Sequence, residues 1–279
     1  MIKSSELNTI LERAYVPEQM TDYVTAVSGA EPFLFEDFIA YRQEQHLIFI
    51  GYPLADAFKE KRIMRALEDA VRRFKPTRIA LTAPCLPASV RPETPPSFDQ
   101  YYRLDLTSLA VSQKVRNMIN RAERRLKVEK LKTLTEAHQD LVREFLRVHP
   151  VAQETQFIFE RVPDYLSSTG TAWAFDARSE GGDLVAFDVV EMGAKAYAFY
   201  MFNFTSPDHI EPGASDLLLW EIIQFAKRED KRYLNLGLGI NPGVTFFKEK
   251  WGGKPFLPYA FVDYASAGEG QMEELFQKL

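Results

Sequence analysis

The chain has 279 residues, enough for one large domain or two of ordinary size. Hydrophobic residues make up 46% and charged residues 26%, which excludes a disordered or collagen-like chain and leaves a globular one with a large core. A formal net charge of −5 argues against a protein that coats nucleic acid non-specifically, while leaving room for a local basic patch.

The N-terminal stretch MIKSSELNTILERAY has no apolar h-region and no small-residue cleavage site, and no run in the chain is long enough to span a membrane. The expectation is a cytoplasmic protein with no transmembrane segment. Residues 5–28 predict two short helices split at Val16-Pro17. FLFEDFIAYRQ and EQHLIFIGYPL read as two strands of a hairpin joined near Gln43 to Gln45. Residues 57–74 predict an amphipathic helix with Ile63, Leu67 and Val71 along one stripe. RIALTAPCL follows as a buried strand. Its Cys85 is the one cysteine, so no intramolecular disulfide can form, and it reads as a plain buried thiol. The prolines between Pro84 and Phe98 mark a loop and the first candidate boundary.

YYRLDL is then a strand, and residues 109–125 form a strongly basic helix leading into the strand LKVEKLKT. Helices at about 135–148 and 153–167 precede three strands, TAWAFDA, DLVAFDVVEM and AKAYAFYMFNF. Glu211-Pro212-Gly213-Ala214-Ser215 opens the helix DLLLWEIIQFAKRED, followed by the strand RYLNLGL, the short helix VTFFKEKW and the strand PFLPYAFVDYA. The second half thus runs β-α-α-β-β-β-α-β-α-β, and the first half carries a looser version of the same plan. His46, His138, His149 and His209 show no ligand spacing, so no metal site is expected.

The stretch ASDLLLWEIIQFAKREDKRYLNLGLGINPGVTFFKEKWGG is similar to the corresponding part of the Fem-type aminoacyltransferases and the wider Fem-like GNAT proteins. The helix from Lys114 to Arg125 resembles the arginine-rich helix that joins the two halves in that group. The resemblance covers roughly residues 100–265 and is only architectural before that. It implies an α+β fold of two tandem GNAT-like domains, each a mixed, mostly antiparallel sheet flanked by helices. Residues 1–108 would be a degenerate N-terminal half, and residues 109–279 a C-terminal half entered by the basic helix. It also implies an N-acyltransferase or aminoacyltransferase acting on a small-molecule or precursor amine. The donor would be aminoacyl-tRNA or acyl-CoA, with no tightly bound cofactor. No heptad pattern supports the long helical-hairpin arm that some Fem proteins carry.

In a GNAT fold the fourth and fifth strands part and the donor lies between them, which places Tyr200, Asn203, Asn235 and Gly237 near the gap. Acyl-CoA-using GNATs hold pyrophosphate on a (R/Q)xxGx(G/A) loop. Here only Gly213 fits, because Ile210 replaces the lead residue, Glu211 adds negative charge and Pro212 lacks an N–H. Ser215 can still cap the helix or help hold an anion. Where many of these enzymes read NxxAxx(L)Y, Asn241, Val244 and Phe247 fall in register and Lys248 takes the place of the tyrosine. Lys248 then polarises the leaving group, or clamps a phosphate, or is solvated on an amphipathic turn with Phe246 and Trp251 in the core. Asp188 and Glu191 should point to opposite faces of their strand. Glu191 is the candidate base, with a surface carboxylate as the alternative, and Asp216 reads as a cap or dipole partner.

Lys114, Arg116, Arg121, Arg124, Arg125, Lys127, Lys130 and Lys132 face only Glu123 and Glu129. Either this is a solvated face, or Arg116, Arg121 and Arg125 form an anion-binding ridge for tRNA, a nucleotide-linked precursor or a lipid head group. The reading from a different class is a non-catalytic GNAT-fold module that binds an anionic ligand or partner.

Overall fold

The fold is a computed structural model that describes residues 2–55, 58–88, 90, 92 and 95–266. The first half begins with α1 (Ser4–Arg13), a 3₁₀ turn (Pro17–Gln19) and α2 (Thr21–Ser28). It continues through β1 (Glu31–Phe35), β2 (Phe38–Gln43), β3 (His46–Ile50), α3 (Glu60–Phe74), β4 (Arg78–Ala83) and β5 (Ser97–Asp105). The second half runs α4 (Gln113–Ala122), β6 (Leu126–Leu131), α5 (Glu136–Val148), α6 (Gln153–Glu160), α7 (Val162–Ser168), β7 (Ala172–Ser179) and β8 (Leu184–Glu191). It ends with β9 (Tyr197–Thr205), α8 (Ala214–Arg228), β10 (Tyr233–Leu238), α9 (Pro242–Lys250) and β11 (Lys254–Ala265). Among the described residues no helix is long and apolar enough to cross a membrane.

All these strands form one sheet in the order β1-β2-β3-β4-β11-β5-β10-β9-β8-β7-β6. Its pairings are antiparallel except for β3 with β4 and β9 with β10. Each parallel pair is joined through a crossover helix, α3 in one half and α8 in the other, as parallel strands require. The plan therefore occurs twice in one chain. At the centre the halves interlock: β5 bonds β10 of the second half, while β11 returns to bond β4 of the first.

Burial follows the apolar stripes. α3 lays Ile63, Ala66, Leu67, Ala70 and Val71 on the first half of the sheet. α8 buries Leu217, Leu218, Leu219, Ile222, Ile223 and Phe225, and α4 adds Val115 and Ile119 to the same core. Adjacent residues of β5 serve different cores, with Tyr102 beneath α8 and Tyr101 in the core that includes α1 and the 3₁₀ turn.

Three local expectations change. FLFEDFIAYRQ is itself a hairpin, because Glu36 takes φ 53° and Asp37 is held by Arg62 at 2.7 Å and by the Ala55 amide at 3.3 Å. The Glu-Asp pair inside an aromatic run was the turn signal, and the sheet gains a strand. The helix over 153–167 breaks at Arg161, since Pro163 at the start of α7 has no N–H to continue α6. Cys85 is exposed rather than buried, because β4 ends at Ala83 and the thiol sits in the loop beyond it.

Candidate active site

The two parallel pairs end differently. In the first half the ladder continues past β3, where the Gly51 amide donates to the Thr82 carbonyl at 2.7 Å. A Cβ on Gly51 would meet Ile63 Cδ1 at 2.3 Å and Ala83 Cβ at 2.8 Å, so that junction is closed. In the second half β9 and β10 pair only from Tyr197/Tyr233 to Phe199/Asn235. Beyond that point β9 bulges at Met201, while β10 shifts register against β5 between Asn235 and Gly237. The strands part, and a gap opens in the middle of the sheet.

The side chain of Asn235 fixes this parting. Its oxygen accepts the Gly237 amide at 2.8 Å, and Gly237 takes φ 76°, a conformation suited to glycine. Its amide nitrogen donates to the Tyr15 carbonyl at 2.9 Å, which anchors the N-terminal segment over the gap. Asn235 is thus fully engaged and positions the backbone. Asn241 plays a related part: it caps α9 by accepting from the Val244 amide at 3.0 Å.

α9 carries Lys248 inward. The residue is only 4% exposed, and its amine donates to the Leu238 carbonyl. A Cβ on Gly237 would lie 3.7 Å from the Lys248 nitrogen and 3.9 Å from the Tyr200 carbonyl oxygen, so the amine stands in the gap itself. Burial pushes its pKa down to about 8, against the opposing pull of Asp99. Of the three readings of Lys248, the solvated one is excluded. Its neighbour Phe246 is 63% exposed, contrary to the expected core position, while Trp251 is buried.

Tyr200 and Asn203 enclose Asp188. The Tyr200 hydroxyl donates to Oδ2 at 2.8 Å, and the Asn203 amide donates to Oδ1 at 2.5 Å and to the Ser215 hydroxyl at 3.3 Å. This network ties β8 and β9 to the start of α8. Desolvation raises the Asp188 pKa to about 7, with the two donors holding it lower than burial alone would. Glu191 lies on the opposite side of β8. It is fully buried and accepts from the Tyr165 hydroxyl and, at 2.7 Å, from the Gly193 amide. The geometry therefore keeps it from serving as a surface carboxylate or as a base facing the gap. Asp216 also departs from a simple cap: it accepts from the Trp251 indole at 2.9 Å and pairs with Lys250 at 2.6 Å, joining α8 to α9.

Gly213 takes φ 90° at the start of α8, and a Cβ there would lie 3.1 Å from the Met118 carbonyl oxygen of α4. The basic helix therefore lies directly against the start of α8, with Met118 and Ala122 next to Gly213. Arg125 pairs with Glu211 at 3.4 Å. Arg116 donates to the Val111 carbonyl at 3.4 Å, and both Arg116 and Arg121 are exposed.

Sequence reasoning missed Asp99 and Ile240. Asp99 accepts from the amides of Gly239 at 3.1 Å and Ile240 at 2.8 Å. It holds Ile240 at φ 62° and 72% exposed beside the gap loop. Nothing in the local sequence marks an isoleucine for that conformation. His138 and Asp176, 2.8 Å apart, resemble a catalytic pair, but both are fully buried. His138 also accepts the Thr135 amide at 3.0 Å, and Arg178 takes the other Asp176 oxygen at 2.6 Å, so the group caps α5 and ties it to the sheet.

Residues 113–249 match the family model described as an acetyltransferase (GNAT) domain. This part of the chain is therefore a GNAT domain. The fold sets two similarly built halves on one sheet. Among solved structures it is similar to FemX, with a TM-score of 0.63 at 9% identity over 99% of this chain and 98% of that one. It is also similar to L-PGS from Bacillus licheniformis, at 0.60 and 16% over 99% and 96% of the two chains. A third is the C-terminal domain (DUF2156) of a protein assigned as a lysylphosphatidylglycerol synthetase from Agrobacterium fabrum, at 0.62 and 17% over 96% and 93%. At these identities the likeness is one of fold. No curated protein matches the sequence. Within the GNAT match lie the gap, Lys248 and the contact between α4 and α8, while β5 and β11, which complete the sheet, lie outside it.

Proposed function

We propose that this GNAT protein transfers an acyl or aminoacyl group from an activated donor to an amine, with the gap between β9 and β10 as the reaction site. The match of residues 113–249 to an acetyltransferase (GNAT) domain supports acyl transfer as the reaction class. The observation that carries the residue-level reading is the buried amine of Lys248 between parted strands. In the reaction, the acceptor nitrogen attacks the acyl carbon, a C–N bond forms and the C–O or C–S bond to the carrier breaks. Lys248 gives a proton to the departing oxygen or sulfur, and the acceptor nitrogen loses its proton to solvent. A pKa of about 8 suits a group that must be charged before the step and neutral after it. The exposed arginines of α4, seated against the start of α8, would hold an anionic carrier there.

The poor fit of Glu211 and Pro212 to a pyrophosphate loop favours aminoacyl-tRNA over acyl-CoA as donor. It also sustains a second reading, an anion-binding module without catalysis. The test combines a thermal-shift screen against acetyl-CoA, bulk tRNA and a UDP-linked muropeptide with a transfer assay using whichever donor binds. Transfer that falls on an alkaline limb near pH 8 and disappears in Lys248→Ala supports the proposal. Donor binding without transfer supports the second reading, and full turnover by Lys248→Ala removes this residue from the reaction.

A further inference from the structure

A cavity of about 480 Å³ lies among α5, α6 and α7, within the size range of pockets that hold small molecules. It is separate from the gap. α5 and α7 pack on the face of β8 that carries Phe187 and Val189, whereas Ala186 and Val190 of the same strand face α8.

Helical spacing builds the apolar part of its lining. His138, Val142 and Leu146 recur at every fourth position of α5 and so share one face of that helix. Leu134 extends the stripe just before α5, and Phe159 of α6 and Val162 of α7 complete it. The Phe159 ring stands edge-on to Phe204 at 5.0 Å and to Phe202 at 6.0 Å, which fixes it in place. His138 has no nitrogen to offer a ligand, because Thr135 and Asp176 engage both.

Three charged side chains line the same cavity: Arg143, Glu160 and Asp164. Arg143 is already neutralised by Asp140. Glu160 accepts only the Gln156 amide, at 2.8 Å. The Asp164 carboxylate has no hydrogen bond or ion pair among the described residues. Arg161, which stands between these two acids in sequence, lies over the Phe157 ring at 4.3 Å and does not line the cavity. Two carboxylates without a cation therefore accompany an apolar surface.

This combination selects its ligand from both sides. An anion is repelled by Glu160 and Asp164, and a neutral hydrophobe leaves them with nothing but water. A compact hydrophilic cation gains the carboxylates but none of the apolar burial. An ammonium group on an apolar body gains both, through charge-assisted hydrogen bonds and removal of the floor from water. We propose that this cavity binds a small organic cation, with its ammonium group at Glu160 and Asp164 and its apolar body on Leu146, Phe159 and Val162. Binding there uses neither Lys248 nor an acyl donor, so an inactive gap leaves the test below unchanged.

The test is a methyl NMR titration of the intact protein near pH 7 with 2-phenylethylammonium, 3-phenylpropionate and methylammonium. The expected result is saturable shifts at Val142, Leu146 and Val162 with phenylethylammonium. Methylammonium, which lacks the ring, should bind at least roughly tenfold more weakly. Phenylpropionate, which reverses the charge, should bind at least roughly fivefold more weakly. Glu160→Gln combined with Asp164→Asn should weaken phenylethylammonium by roughly fivefold. Both side chains are exposed, so the double variant should keep the thermal unfolding of the wild type. The assignment is overturned by no saturable shift at these methyl groups, by equal binding of either control probe, or by undiminished binding in the double variant.

Discussion

The Lys248 amine donates to the main-chain carbonyl of Leu238 where β9 and β10 part, so a lysine occupies the interior of the sheet at its one parallel junction that opens. Its pKa falls from 10.5 to about 8 because burial disfavours the charge. Between those values the unfolded chain holds a proton at this site that the folded chain has released. Unfolding takes up that proton, so Lys248 makes stability rise with pH across the window. Lys248→Met removes the linkage. Urea unfolding of both proteins at about pH 7.5 and pH 10 should show the wild type gaining up to about 3 kcal/mol on the variant. Parallel pH profiles would show that the amine is not desolvated as described.

Asp188 behaves in the opposite sense. Its pKa of about 7 lies above that of an exposed carboxyl, so stability falls as pH rises from the ordinary carboxylate range to about neutrality and levels off beyond it. The Tyr200 hydroxyl, at 2.8 Å, is one of two side-chain donors that reduce this cost. Tyr200→Phe removes a hydrogen bond to a buried charge and should destabilise by about 2 kcal/mol at pH 8. The loss should be smaller at pH 5, where the carboxyl is protonated. Chemical denaturation at the two pH values measures the difference, and an equal loss at both would sink this account.

Periodicity made most elements legible, because amphipathic stripes such as Ile63, Leu67 and Val71 follow from burial on one face alone. The two strands that part, β9 and β10, could be named from the resemblance to the GNAT fold. What the sequence did not carry was direction and partnership. Glu191 and Asp188 differ by three positions on one strand, yet one is enclosed by Tyr165 and the other by Tyr200 and Asn203, all from other segments. Such sites depend on long-range register, which local pattern cannot supply.

Glu211 restrains the turn that follows the basic helix. It pairs with Arg125 at 3.4 Å, and a partly exposed pair of this kind contributes at most about 1 kcal/mol to stability. Its larger effect is to neutralise an arginine beside the start of α8. Glu211→Gln should therefore leave stability nearly unchanged while tightening tRNA binding and steepening its salt dependence by about one phosphate contact. Arg121→Ala should make the dependence shallower. Fluorescence anisotropy with bulk tRNA across a salt series reads both slopes. Unchanged slopes in the two variants would mean that α4 is only a solvated face.

Ile240 is a β-branched residue held in the left-handed region at φ 62°, where such side chains are crowded by their own backbone. At 72% exposure its side chain has little packing to offset that cost. The conformation is imposed by Asp99, which accepts the amides of Gly239 and Ile240 and so fixes the loop leading into α9. Glycine adopts this conformation without crowding, although it adds entropy to the unfolded chain. Ile240→Gly should therefore raise stability by up to about 1 kcal/mol, read as a higher Tm and urea midpoint. If that gain comes with weaker donor binding, the strained isoleucine serves the mouth of the gap. If the variant is less stable, Ile240 has packing that its exposure does not reveal, and the strain argument fails.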